Sequence, residues 1–251
     1  KELVPFDKYQ RTLGIWEVSK KIERSLADST RSVLAAYTKG VNAFLENNTK
    51  RLPVQFSLTG MEPIPWTITH SIAMARMMGW QLNVSWWTEV MYGHLKDKLE
   101  AEKFSQLTAG LQSYPALQDQ ATDYQLKGAG SGLIKPLNTE LALRDMLQQT
   151  GSGVGSNAWA VDGSRTESGF AMLGGDPHLG LNMPGTWYEV HLNLDGRDLS
   201  GATLAGAPVI VVGQNDFLAW SITSIMADDT DFFVEKTNPE DRGQYVVDSL
   251  N

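Results

Sequence analysis

The sequence predicts an α+β protein, and three observations carry that prediction. Before residue 112 apolar side chains recur at helical spacing. From Ser156 onward short β-rich runs alternate with glycine, proline, aspartate and asparagine. Between the two lies a glycine-rich seam, Gly151 to Gly155, where the chain changes character. Helices followed by a run of strands argue for segregated helical and sheet layers. The expected organisation is a helical part over 1–111, a spacer or linker over 112–155, and a strand-rich part over 156–251.

The helices come first. From Tyr9 to Leu26, the residues Leu13, Ile15, Trp16, Val18 and Ile22 recur as they would on a helix that contains Gly14. Around Asp28-Ser29-Thr30 a capping signal precedes Val33, Leu34, Tyr37, Val41, Phe44 and Leu45, which predicts a core-facing helix ended by Asn47-Asn48. Pro53, Gly60 and Pro65 interrupt the next stretch. Thr67 to Trp80 then forms an apolar helical run with Met74, Met77 and Met78, and methionine at that spacing is ordinarily core filler. Ser85 to Leu107, with Trp86, Trp87, Glu89 and Tyr92 ahead of charged residues, predicts an amphipathic helix or pair.

Residues 112–155 are the most loop-like. Pro115, Asp119, Asp123, the glycine-rich run from Gly128 to Gly132 and Pro136 argue against regular structure, with one short helix from Asn138 through Gln149. The glycines spell neither a dinucleotide nor a P-loop fingerprint, because no Gly-Lys-Ser/Thr follows and no strong strand precedes them. After Ser156, strands are expected at Ala158–Val161, Phe170–Leu173, Trp187–Leu194, Ala202–Leu204, Val209–Val212, Leu218–Thr223 and Phe232–Glu235. In the third of these Tyr188, Val190, Leu192 and Leu194 alternate with Trp187, Glu189, His191 and Asn193, which predicts one buried apolar face.

Composition excludes several classes. Twenty-one basic against 29 acidic residues give a net charge of −8, and no basic run stands out. That balance argues against nucleic acid or an anionic membrane as partner. No apolar run approaches the length of a membrane span, about 18 residues or more. Lys1-Glu2-Leu3 does not begin a signal peptide, so any signal is expected to have been removed. The absence of cysteine excludes disulfides and thiolate chemistry.

Ser156 is the nucleophile candidate. Cutting the Gly155–Ser156 bond would give Ser156 a free α-amine beside its own hydroxyl, so one residue would hold nucleophile and base. An α-amine titrates at about 7.7–8.0, so near neutrality a useful fraction can take the hydroxyl proton, directly or through a water. By composition alone the same stretch reads first as an interdomain linker.

The residues after the serine carry more. Ser156-Asn157-Ala158-Trp159-Ala160-Val161, then Gly174-Gly175-Asp176-Pro177-His178-Leu179-Gly180-Leu181, then Trp187-Tyr188-Glu189-Val190-His191-Leu192 resemble, in order and spacing, the start of the β chain of the penicillin acylase family, which are N-terminal nucleophile hydrolases. The resemblance covers most of 156–235 and extends more weakly over 30–110. It implies an αββα sandwich on which the helical part packs, and autocatalytic cleavage at Gly155–Ser156. It also implies removal of a spacer to leave an α/β-chain heterodimer, and a periplasmic or secreted location. It puts the backbone oxyanion donor at the Ser224 amide, within Trp220-Ser221-Ile222-Thr223-Ser224, and gives His178 a role in orienting the amine. The family's second oxyanion donor, an asparagine, would lie beyond Asn251. His70, His94 and His191 are read as structural.

The resemblance further implies a structural calcium, held by Asp228, Asp231, the Thr230 carbonyl and Glu89. The residues alone read as a hard-cation site or as a solvated acidic turn. For the acyl pocket it implies Met77, Trp80, Gln81, Leu179, Val211 and Val212, with Trp159 nearby. Leu179 and Val212 stand where members that prefer an aromatic acetyl group carry phenylalanine, a departure that argues against penicillin G cleavage and leaves aliphatic walls open to a fatty acyl chain or a bulkier group. The expected function is removal of an acyl group from a small N-acyl substrate such as a β-lactam or an acyl-homoserine lactone. The alternatives are an inactive precursor or fragment, or a non-catalytic calcium-binding β module.

Overall fold

In a computed structural model of the chain, the described residues are 3–48, 51–83, 85–109, 129–149, 155–224, 230, 238–241, 244 and 245, with the side chains of 85, 87–89, 129–132 and 134 outside the description. Among the described residues eight α-helices precede the strands. They are α1 (Val4–Leu13), α2 (Ile15–Arg24), α3 (Asp28–Asn47), α4 (Val54–Thr59), α5 (Ile68–Leu82), α6 (Ser85–Lys98), α7 (Ala101–Thr108) and α8 (Ala129–Met146). Then come β1 (Gly155–Val161), β2 (Met172–His178), β3 (Trp187–Leu194), β4 (Arg197–Leu204), β5 (Ile210–Asn215) and β6 (Ala219–Trp220). The architecture is α+β with antiparallel sheets, as expected.

Several helices differ from expectation for local reasons. The stretch from Tyr9 to Leu26 is two helices, because Gly14 sits at φ 69°, a left-handed conformation that ends α1 and that glycine adopts without steric cost. Asp28 does not cap α3 but is its first residue, where a carboxylate favours the helix dipole; the flanking residue Ala27 makes no side-chain cap. At the other end Asn47 and Asn48 end the helix as predicted, their amides donating back to the Ala43 and Phe44 carbonyls at 2.7 and 2.8 Å. Helix α3 is less buried than its pattern suggests: Leu34, Tyr37, Val41 and Leu45 are half-buried, while Val33 and Phe44 are exposed. Ser85–Leu107 is a pair, α6 and α7. Helix α8 begins well before Asn138 and runs through Pro136. Its buried residues Leu137, Glu140, Leu143 and Arg144 recur at helical spacing, so packing overrides the breaker.

The chain forms two compact units. The first comprises 1–82 and 139–225. Within it α2 packs on α5, and Ile72, Leu143, Leu204 and Ala207 are buried. Asn42 of α3 ties down the lead-in to α5, its amide donating to the Trp66 carbonyl at 3.0 Å and its oxygen accepting from the Trp66 N–H at 2.7 Å. The Tyr37 hydroxyl accepts from the Gly206 N–H at 3.1 Å, which docks the β4–β5 turn on the helical part. The second unit comprises 83–138 and 226–251; among its described residues Trp86, Val90 and Leu137 are buried.

The strands form a two-stranded sheet, β1-β2, and a four-stranded meander, β3-β4-β5-β6, all antiparallel. Strand β1 starts three residues earlier than predicted and includes Gly155 and Ser156. Strand β2 takes in Gly174-Gly175-Asp176-Pro177-His178, expected to turn. Pro177 is tolerated because, among the described strands, β2 pairs with β1 alone and has a second edge without ladder bonds. Strand β3 has the predicted bounds, but Tyr188, Leu192 and Leu194 are exposed on this strand, the first of the four described in its sheet. Strand β6 is only Ala219–Trp220, because the chain leaves the sheet after Trp220 to approach β1. The strand expected at Phe232–Glu235 lies outside the described residues.

Candidate active site

Ser156 is half-buried, the second residue of β1 and opposite Pro177 of β2. The backbone N–H of Ser224 donates to its Oγ at 3.0 Å. A half-buried hydroxyl that accepts from a backbone amide has its lone pairs oriented, and the same amide stands beside the point where an oxyanion would form on attack. This Ser224 amide is the group that the resemblance names as the backbone oxyanion donor.

The approach of residues 221–224 to β1 depends on Gly175. A Cβ at Gly175 would lie 2.1 Å from the Ser221 Oγ, closer than any real contact allows. Its cross-strand partner is Ala158, two residues after Ser156. The neighbouring pair Trp159 and Gly174 shows the same device: a Cβ on Gly174 would meet the Trp159 ring at 2.8 Å. Trp159 thus covers β2 from one face and remains more than half exposed.

His178 pairs with Gly155 across the two strands. Its Nδ1 lies 3.9 Å from where a Cβ on Gly155 would stand, and its Nε2 is 2.7 Å from Asp176 Oδ2. A carboxylate only accepts, so in the neutral ring Nε2 carries the proton and Nδ1 presents a lone pair on the side of Gly155. Asp176 is an addition that the structure makes to the predicted site, although Asp-x-His on one strand places both side chains on one face.

Leu179, Val211 and Val212, predicted for the acyl pocket, are half-buried, Leu179 next to His178 and the two valines in β5, with Val212 opposite Ala202. Met77, Trp80 and Gln81 are half-buried in the last turns of α5. The Trp80 ring also makes packing contacts: the Arg144 guanidinium lies 4.9 Å from its centre and the Tyr9 ring packs at 6.3 Å. The hollow along α3 lined by Thr38, Lys39, Asn42 and Glu46 shares no residue with this site, and surface shape is a weaker guide here than the Ser156 geometry. His70 is structural, accepting from the Thr67 N–H at 2.9 Å between the rings of Trp16 and Trp66. His191 likewise pairs with Asp198 at 2.9 Å. That contact and the Asn193 amide hold the Asp198 carboxyl below its usual range, the asparagine bond contributing most.

Of the predicted cation ligands, Asp228, Asp231 and the Glu89 side chain lie outside the described residues. Thr230 is described, and its Oγ1 accepts from the Asn83 amide at 2.9 Å. Among the described residues no group of three acidic or histidine side chains could hold a metal. No helix among them is long and apolar enough to cross a membrane.

The penicillin amidase family profile matches residues 1–250. The chain belongs to that family. Among its relatives, the acyl-homoserine lactone acylase QuiP of Pseudomonas aeruginosa is 27% identical over 96% of this chain and 29% of its own length. The penicillin acylase 2 proenzyme of a Pseudomonas species is 30% identical over 90% of this chain and 29% of its own length. The penicillin G acylase of Escherichia coli is 23% identical over 98% of this chain and 35% of its own. This penicillin amidase chain thus spans about a third or less of the relatives it matches. No solved structure matches it.

Proposed function

We propose that this penicillin amidase chain carries the nucleophile of an N-terminal serine amidohydrolase that removes an acyl group from a small N-acyl substrate. The observation that carries the proposal is the Ser224 N–H to Ser156 Oγ bond, a nucleophile and an oxyanion donor brought together from distant parts of the chain. In the sequence Ser156 is joined to Gly155, so its nitrogen is an amide and cannot act as base. Cleavage of that bond, by the chain itself, frees the α-amine.

The α-amine of Ser156 then takes the Oγ proton, directly or through a water, as Oγ attacks the acyl carbonyl. The Ser224 N–H stabilises the oxyanion. The proton passes to the leaving nitrogen as its bond to carbon breaks, leaving the acyl group on Oγ. Water attacks that ester, its proton goes to the α-amine, and the free acid departs as the proton returns to Oγ. His178, held by Asp176, orients the amine from the Gly155 side. The antiparallel strands that carry Ser156 belong, in this reading, to an αββα sandwich.

Leu179, Val211 and Val212 give the acyl pocket aliphatic walls, with Trp159 at its margin and Met77, Trp80 and Gln81 from α5. That lining and the kinship with acyl-homoserine lactone acylases favour an aliphatic N-acyl chain over an aromatic acetyl group. The matured protein is an α/β-chain heterodimer in the periplasm or outside the cell. A calcium ion joins its parts through Glu89, Asp228, Asp231 and the Thr230 carbonyl, a set of hard oxygen donors suited to that cation. The test is a panel of N-acyl homoserine lactones, β-lactams and arylacetamides offered to the purified full-length protein. Acid release, fastest with aliphatic chains and lost in Ser156→Ala, supports the proposal; no acid from any member contradicts it.

A further inference from the structure

The most deeply buried ionic group in the described chain has no part in the chemistry above. Glu140 is fully buried and Arg144 is 2% exposed, both on α8. Arg144 Nε donates to Glu140 Oε1 at 2.6 Å, and the Tyr9 hydroxyl donates to Glu140 Oε2. The two outer nitrogens of the guanidinium donate to the Gln81 and Trp80 carbonyls at 2.8 and 3.0 Å. Those carbonyls belong to the last turn of α5, where a helix leaves acceptors without intrahelical partners and a cation is favoured by the dipole. Arg144 therefore closes the end of the helix that carries Met77, Trp80 and Gln81.

The end of α8 makes a second attachment. The Asn182 amide donates to the Leu147 carbonyl at 3.2 Å. A Cβ at Gly180 would lie 2.5 Å from that same carbonyl and 3.0 Å from that of Gln148, so only glycine allows the approach. Gly180 and Asn182 lie in the loop that leaves β2 directly after His178 and Leu179. One short segment, 139–149, thus holds two of the stretches that supply pocket candidates, the end of α5 and the loop after β2.

Resting on the amidohydrolase reading, we propose that 139–149 is a strut retained after Gly155–Ser156 is cut, with Arg144 as a positioning residue for the acyl pocket. Any released spacer then lies outside these residues. A buried ion pair resists removal of one partner, since the other is left charged and unpaired, whereas replacing both by apolar groups is often tolerated. The segment is held by side chains that the cut does not touch.

The test uses the full-length protein and the double variant Glu140→Leu/Arg144→Met, which leaves no orphan charge. Mass spectrometry of the cut wild type is expected to find 139–149, attached or as a co-purifying peptide; an active cut protein lacking these residues overturns the proposal. In the double variant KM for an aliphatic N-acyl substrate is expected to rise about tenfold with kcat within about threefold. Amides in the last turn of α5 are expected to exchange about tenfold faster. Unchanged KM with unchanged exchange overturns it. A chain that never opens at Gly155–Ser156 sinks the amidohydrolase reading instead, and the exchange measurement then decides the strut on the uncut chain.

Discussion

The backbone N–H of Ser224 donates to the Oγ of Ser156 across 3.0 Å, joining residues 68 positions apart. That contact ties the end of the meander to the start of the two-stranded sheet.

The donor's place depends on the missing side chain at Gly175. Gly175→Ala is expected to displace residues 221–224 and lower kcat about a hundredfold with little change in KM, the loss typical of one oxyanion donor. Adding Ser221→Gly removes the atoms that clash, so the double variant should recover most of the rate. Steady-state kinetics of both variants check this.

Asp176 fixes the ring of His178. Asp176→Asn offers the ring a donor as well as an acceptor, which permits the opposite tautomer and removes the lone pair facing Gly155. A fall in kcat of about three- to tenfold is expected, modest because both side chains are partly exposed. Equal rates in the variant and wild type would remove His178 from the mechanism.

The Tyr9 phenol ionises only at high pH, pushed up chiefly by burial and next by its bond to the Glu140 carboxyl. Its folded pKa is raised, so the stability it contributes is full below the ordinary tyrosine value of about 10 and is lost as pH climbs beyond it. Tyr9→Phe should flatten the loss of stability above about pH 10 relative to wild type while costing about 1–3 kcal/mol near neutrality. Phenolate absorbance should show one tyrosine silent until the chain unfolds. Chemical denaturation across the alkaline range measures the rest.

Calcium, if held by Asp228, Asp231, Thr230 and Glu89, acts on stability. Chelation should cost roughly 2–3 kcal/mol relative to calcium at a hundredfold above its Kd, and leave the acylation rate unchanged well below the melting temperature. Asp231→Asn should reproduce the effect and make the protein insensitive to chelator. Thermal melts with and without chelator decide it.

The α+β class, the end of α3 at Asn47-Asn48, the bounds of β3 and the place of the Ser224 amide beside Ser156 are all legible in the sequence. Each depends on local pattern or on a run of matching residues. The features that are not legible depend on contacts between distant segments. Pro136 and the nearby glycines read as loop because the burial of Glu140 and Arg144 against Tyr9 and α5 is invisible along the chain. The Gly174-Gly175 pair reads as a turn, yet those glycines make room for Trp159 and Ser221 inside a strand. Leu218–Thr223 has strand composition, but the Ser224 bond to β1 draws the chain off the sheet. Asp176 is within reach of the sequence, since its spacing from His178 already puts both on one face.

The central claim is that Ser156 becomes the first residue of a polypeptide. Intact mass and N-terminal sequencing of the purified full-length protein, beside its Ser156→Ala variant, test it most directly. The expected result is a fragment beginning Ser-Asn-Ala-Trp in the wild type and an uncut, inactive variant. A wild type that releases acid from an N-acyl substrate with the Gly155–Ser156 bond intact would contradict it.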